Sequence, residues 1–518
     1  MSRFREALEA KEEFVITCEH VPGRGLAGKR IDSIIKFAEQ ASASDLIHAL
    51  SLTDNAGGNP AFSADMLAFH LIAMGVDVIV HFSTKDMNRN AIEARAYALK
   101  RCDLTNLLVI SGDYPITGFL GKPKPVFDID SVIALHYLKN ISEGLEITEG
   151  RKSLKLDGTN FYLGTAVSPF KWTEASSVMQ YRKLEKKIRA GADYIIPQLG
   201  YDSRKQIEFI QYVRKHLGLD LPLIGSVYVL SRGAARFMNR GEIPGVYVSD
   251  EQMKAIEIDA KAEDKGKAAR LERAAQQVAI LKGLEYNGAH IEGLNLRFQD
   301  VNFIIERSRE IGENWPDYLE KFPYAPPNPF YIFTGGQEFK VPSSKDQPTL
   351  TTTRRKRIFS PMFWMTRMVH KLIFVEQTLG YKLIRGIVRF SEKKKLLIGL
   401  IKFFELAFKK IAFDCRQCDD CSLFELYYLC PESKCPKGMR IGPCGGSKVD
   451  GKCEVFDHRL CIWEKVYWRA KNRKELDKLN FIVTPRDWAL YETSSWVNYY
   501  LKRDHSAVKL DIKEEVKS

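Results

Sequence analysis

The strongest constraint on this chain is a repeat of short apolar runs, about one every thirty residues across the first 315. They are FVITCEH (14–20), LIHALSLTD (46–54), DVIVHFS (77–83), NLLVISGD (106–113), FYLGTAVSP (161–169), YIIPQLGYD (194–202), PLIGSVYVL (222–230) and AHIEGLN (289–295). Near-continuous apolar character is what parallel strands buried on both faces require, because alternation arises only where one face meets water. Between the runs lie segments of helical period, including RIDSIIKFAEQ, SADMLAFHLIAMG, RNAIEARAYALKR and EASSVMQYRKLEKKIRAG. Ala73-Met74-Gly75 and Ala190-Gly191-Ala192 read as helix stops with glycine just past the last turn. Strands alternating with helices in this way predict an α/β fold, a (β/α)8 TIM barrel. An open doubly wound sheet is the alternative, and the lack of a GxGxxG turn after the first run weighs against it.

In a parallel barrel every strand ends on the same rim, where barrel enzymes place their chemistry. The runs end in polar residues: Glu19, Asp54, His81, Asp113 and Gln198. Any one of them would be polar simply because the chain leaves the core there. Five together predict a functional rim.

The last third differs in composition. The chain carries a net +13, and residues 354–410 hold 15 Lys/Arg against 3 Glu, so the rest sums to only about +1. The predicted organisation is a barrel (1–315), a Pro-, Ser- and Gly-punctuated linker (316–353), a basic amphipathic helical arm (354–410), and a cysteine-rich domain with a C-terminal tail (411–518). The arm is expected to lay its apolar face on the barrel or the cysteine region with its lysines in water. An anionic membrane surface or a partner protein is the alternative. Nucleic acid is not expected, since no recognition module accompanies the charge. No apolar run reaches 18 residues, and the opening MSRFREALEAKEEF has no apolar signal core, so a cytoplasmic location is expected.

Eight of the ten cysteines lie between Cys415 and Cys461. Their pattern is Cys415-x2-Cys418-x2-Cys421-x8-Cys430-x4-Cys435-x8-Cys444-x8-Cys453-x7-Cys461. Without an export signal such clustering reads as metal ligation before disulfides. Eight thiolates suffice for two four-coordinate centres. The three cysteines at x2 spacing and the Cys-Pro pairs favour iron–sulfur, with zinc as the competing assignment.

LVISGDYP (108–115) resembles the Gly-Asp-x-Pro strand end of the methylenetetrahydrofolate reductase family. TCEH around Glu19, SLTDNAGG (51–58), VHFSTKDMNR (80–89), KKIRAGADYIIPQLGYD (186–202), PLIGSVYVLS and IEGLNL follow the family's order. CPESKCPKGMRIGPCGG and GKCEVFDHRLCIWEKVYWR resemble its cysteine-rich C-terminal domain of the acetogen type, here fused behind the barrel. The resemblance implies reduction of 5,10-methylenetetrahydrofolate to 5-methyltetrahydrofolate in one-carbon metabolism. It implies a bound flavin, FAD or alternatively FMN, and an oligomeric assembly. The electron donor would be NADH, NADPH, ferredoxin or a partner flavoprotein. Glu19 matches the family's proton donor, and its apolar strand favours a neutral acid. Asp113 matches a catalytic aspartate near flavin and pterin, and Gln198 a folate-binding glutamine. Thr53, Asp54, His81, Gly112, Asp113 and Lys187 fall at expected flavin contacts. A solvated helix position is the plain alternative for Lys187. The chain departs from the family at Thr53-Asp54-Asn55, where Thr-Tyr-Gly is commoner, and at Ser168-Pro169-Phe170-Lys171, where a histidine is usual. Other readings are a folate- or corrinoid-linked methyl-transfer barrel without redox chemistry, and a zinc-stabilised assembly protein.

Overall fold

The computed structural model describes residues 2–243, 245–343, 346–353 and 360–512. The first six residues of the basic arm and the last six of the tail therefore lie outside the described residues. All eight apolar runs form strands: β1 (Val15–His20), β2 (Ala49–Leu52), β3 (Val78–Ser83), β4 (Asn106–Ile110), then β7 (Tyr162–Val167), β8 (Tyr194–Pro197), β9 (Ile224–Tyr228) and β10 (Gly288–Glu292). Between β4 and β7 an antiparallel hairpin intervenes, β5 (Glu146–Glu149) with β6 (Lys152–Lys155). The sheet order is β8-β7-β4-β3-β2-β1-β10-β9, and every adjacent pair is parallel. A parallel bridge between Ile195 and Leu223 joins the two ends, with the Ile195 amide donating to the Pro222 carbonyl at 2.9 Å. The sheet therefore curls into a barrel, as the strand count predicts.

Helices form where the apolar period lies, at Lys29–Ser42, Ala64–Ile72, Arg89–Arg101 and Glu174–Arg189. The two predicted stops are real: Gly75 and Gly191 have φ of 82° and 104°, the left-handed region that favours glycine. A short helix at the start of the chain, Arg3–Ala10, is capped by Ser2 and delivers Phe4 and Leu8 into the barrel's N-terminal mouth. There Phe4 meets the Tyr194 and Tyr162 rings edge-on at 5.5 and 6.1 Å. With Val15, Ala49, Ile79 and Ile224 they form an apolar plug at this end, so the polar strand ends gather at the opposite rim.

The expected linker lies against the barrel. Tyr331, Ile332 and Phe333 are buried, Tyr331 donates to Asp202 at 2.7 Å, and Lys205 donates to the Phe330 carbonyl at 2.7 Å. Beyond it come helices Pro361–Val369, Leu379–Ser391 and Lys395–Phe413, then the cysteine-rich region with helix Ile462–Asn472. No helix among the described residues is long and apolar enough to cross a membrane.

Phe4→Ala is expected to lower barrel stability by about 3–5 kcal/mol, the usual cost of deleting a buried aromatic ring. Chemical denaturation followed by tyrosine fluorescence measures it.

Candidate functional site

Strand alternation sends Thr17 and Glu19 of β1 inward, along with His290 and Glu292 of β10, Ser51 of β2, His81 of β3 and Ser226 of β9. β1 and β10 are direct neighbours, with Thr17 opposite His290 and Cys18 opposite Ile291. One step further along lie Glu19 and Glu292. The interior above the plug is consequently polar. Thr17 Oγ1 and His290 Nδ1 are 2.7 Å apart, and Ser51 Oγ and His81 Nε2 are 2.8 Å apart. Glu19 Oε2 stands 3.8 Å from His290 Nε2 and 3.9 Å from His81 Nε2.

The surroundings act oppositely on the half-buried Glu19 and the buried Glu292. Burial pushes Glu19 up, but contact with His290 and the nearness of His81 and His20 outweigh it and leave Glu19 below the ordinary carboxylate range. For Glu292, burial and then repulsion from Glu19 push the carboxyl well above its ordinary value, with only the Ser226 hydroxyl opposing. The surroundings thus favour the charged form at Glu19 and the neutral form at Glu292. His81 and His20 are both pushed down to about 4, burial being the first cause in each. Neither Glu292 nor His290 was singled out from the sequence, although their i, i+2 spacing in a strand was the available signal.

The other rim residues occupy distinct positions. Asp113 follows β4 and accepts from the Gly57 amide at 2.7 Å, tying the β4 loop to the β2 turn. Gly112 has φ 81°, and a Cβ there would meet Ser83 Oγ at 2.1 Å, so the chain can pass at this point only without a side chain. Thr53 Oγ1 is buried without a hydrogen-bond partner. Gln198 turns back on itself, its Oε1 accepting from the Leu199 amide at 3.0 Å. Asp54 is held by Arg95 Nη1 at 2.7 Å, while Arg95 also grips Asp65 at 2.6 and 2.9 Å. That network orients Asp54 toward the helix Arg89–Arg101.

Lys187 is buried, and its Nζ donates to the Ala166 carbonyl. Burial, then repulsion from Lys183, brings its pKa down to about 7. Its neighbours on the helix Glu174–Arg189 are buried as well, beneath the cysteine-rich region. Lys186 Nζ donates to the Ile441 carbonyl at 2.8 Å, and Lys183 reaches Asp130 at 3.2 Å and the Gly442 carbonyl at 3.4 Å. In the loop before this helix, Lys171 Nζ donates to the Ser447 carbonyl at 2.8 Å and also to that of Gly445. Glu464 accepts from Ser176 Oγ at 2.6 Å at the helix N-terminus, where the helix dipole favours a carboxylate. The Gly442-Pro443-Cys444-Gly445-Gly446 loop is thus the fitting that seats the module on the barrel. A Cβ on Gly446 would collide with the Glu454 carboxylate at 2.0 Å.

The eight cysteines fall into two sets in chain order. Cys415, Cys418, Cys421 and Cys430 act electrostatically on one another's thiols, as do Cys435, Cys444, Cys453 and Cys461. The second set lines a cavity of about 360 Å³ that is partly open to solvent. No three cysteine sulfurs among the described residues come within 4.8 Å of one another. A single tetrahedral zinc needs sulfurs about 3.8 Å apart, given Zn–S of about 2.3 Å. The second set also reaches the rim. Lys437, beside Cys435, donates to the Gly112 carbonyl at 2.8 Å and pairs with Glu454 at 2.6 Å, and Glu454 lies 3.6 Å from the Cys444 sulfur.

A closed parallel barrel whose polar groups gather on its one open rim defines the (β/α)8 class. Within that class, the family model described as methylenetetrahydrofolate reductase matches residues 3–308, more than half of the chain. A second, described as methylene-tetrahydrofolate reductase C terminal, matches residues 399–489. The chain belongs to the methylenetetrahydrofolate reductase family. Methylenetetrahydrofolate reductase 1 of Schizosaccharomyces pombe is 24% identical over 297 residues, which cover 56% of this chain and 42% of the yeast protein. The chain thus matches less than half the length of that relative. A solved Clostridium thermocellum protein, described as uncharacterized and binding two copies of 5-methyl-5,6,7,8-tetrahydrofolic acid, is 13% identical. It matches over 60% of this chain and 99% of its own, with a TM-score of 0.42. A 2,3-dimethylmalate lyase of the PEP mutase/isocitrate lyase superfamily is 12% identical over 59% of this chain and 84% of its own, with a TM-score of 0.33.

Asp54→Ala is expected to cost about 1–3 kcal/mol by leaving Arg95 partly unpaired. A double-mutant cycle with Arg95→Ala, read by urea unfolding, should show that the two losses do not add.

Proposed function

We propose that the chain reduces 5,10-methylenetetrahydrofolate to 5-methyltetrahydrofolate at the open rim, with electrons entering through the cysteine-rich module. One observation carries the reading: Glu19, 3.9 Å from His81 and 3.8 Å from His290, and the four-cysteine set meet the same rim, the second through Lys437 and Gly112.

Opening the methylene bridge requires a proton on folate N10 and a hydride on the bridging carbon. A flavin bound at the rim would supply the hydride. The residues fit such a group at its ring end, where Thr53 offers an unpartnered hydroxyl and Asp113 is held in place. They fit the diphosphate of FAD poorly, because Lys171, Lys183, Lys186 and Lys187 are already answered by carbonyl oxygens. FMN, with one phosphate rather than two, makes the smaller demand on cations and is the flavin we propose. Gln198 sits at the end of β8, placed for a pterin edge once its side chain swings off the Leu199 amide.

Glu292 stores the proton. Glu19, the more open of the two, relays it toward N10 and is left as the carboxylate that His81 and His290 favour, and Glu292 takes its next proton from solvent. The 4+4 grouping and the three cysteines at x2 spacing favour two iron–sulfur clusters over zinc. Lys437 then bridges the second of them to the rim.

Glu292→Gln keeps the shape of a neutral acid but holds no transferable proton. It should lower kcat by about 10²–10⁴-fold while flavin content and folate affinity persist. In the wild type a carboxyl raised this far is protonated, and active, below its pKa and loses its proton above it. The rate should therefore fall on the alkaline side, and Glu292→Gln should abolish that limb. An unchanged kcat would remove Glu292 from the proton path. Anaerobic metal and flavin analysis tests the rest: about eight irons per chain is the expectation for two four-iron clusters, with FMN released on heating. Cys444→Ser should lose about half of the iron. A colourless protein that takes up neither flavin nor iron would overturn the redox reading.

A further inference from the structure

The helices Leu379–Ser391 and Lys395–Phe413 are arranged opposite to what water favours. The second buries charge and exposes aromatic rings. Its inner face holds Glu405 and Lys409, paired at 2.8 Å and both buried, with Glu405 accepting from Ser495 Oγ at 2.6 Å and also from Ser494 Oγ. Its outer face, at helical spacing from Leu400, carries Phe403, Phe404 and Ile411, exposed by 65%, 64% and 87%. The first helix packs Tyr381, Ile384 and Val388 against Val497 and Tyr500. On its opposite side Leu383, Ile387 and Phe390 face outward. Neither the barrel nor the cysteine region covers these side chains, so the arm's expected burial holds for only one face of each helix.

Charge identifies the occupant. The exposed cations Lys382, Arg389, Lys393, Lys394, Lys395 and Lys410 border the apolar faces, and the acidic groups of the two helices are already committed, Glu405 to Lys409 and Glu392 to Arg503. Apolar rings flanked by long cationic side chains match the layered chemistry of a bilayer surface, with acyl chains beneath and anionic headgroups at the level of the ammoniums. Neither helix crosses a membrane. We propose that this helical pair is an interfacial anchor that seats the enzyme on an anionic lipid surface, with Phe390, Phe403 and Phe404 immersed and the lysines among the headgroups.

Flotation of the full chain with vesicles tests the assignment. The protein should float with phosphatidylcholine vesicles containing phosphatidylglycerol. It should stay behind with phosphatidylcholine alone, and be released by high salt. Phe403→Ser with Phe404→Ser, on an exposed face, should lower the bound fraction about tenfold at unchanged melting temperature and metal content. Lys393→Glu, Lys394→Glu and Lys395→Glu together should do the same without touching an apolar residue. Failure of the wild type to float with anionic vesicles would overturn the proposal, as would equal flotation of both variants. So would a self-associated wild type that the serine pair converts to monomer, since the face would then be a protein–protein contact.

Discussion

The cluster of lysine ammoniums buried between the barrel and the C-terminal region is the interaction on which the rest of this structure depends. An ammonium taken out of water without a partner costs several kcal/mol. Lys186 meets that requirement with the Ile441 carbonyl and Lys171 with that of Ser447. The glycines of the docking loop follow from the same closeness, since a side chain at Gly442 would press on Lys183 and one at Gly446 on Glu454. Once the loop is seated, Lys437 is brought to Gly112 and the second cysteine set to the rim.

Within the barrel the corresponding constraint is the pairing of β1 with β10. It sets two acidic side chains next to each other in a space lined by imidazoles and hydroxyls. Burial and the neighbouring charge of Glu19 raise the pKa of Glu292, while the histidines hold that of Glu19 down. The plug of Phe4, Tyr162 and Tyr194 beneath them keeps water from entering by the other end.

The barrel was legible because burial on both faces writes continuous apolar runs, and these runs named all eight of its strands. The hairpin at 146–155 was not, because Glu-Ile-Thr-Glu and Lys-Ser-Leu-Lys are exposed and carry no apolar signature. Residues on the rim were legible as a group from strand direction, but their individual orientation was not. Asp54 reads as a rim ligand until Arg95, 41 residues on, claims it. Nothing in the sequence singles out Lys183 and Lys186, because what buries them lies more than 250 residues away. Glu292 was overlooked for a similar reason: its pKa depends on a strand at the far end of the sequence. The division of the cysteines into two sets follows chain order. The outward phenylalanines were hidden in a period that fits equally well with a buried face.

A carbonyl oxygen that belongs to the chain cannot diffuse off as a bound nucleotide can. The cysteine cavity is soldered to the barrel mouth through its lysines rather than plugged in. The gap between them is fixed when the protein folds, and anything exchanged across it meets the same short interval at every turnover.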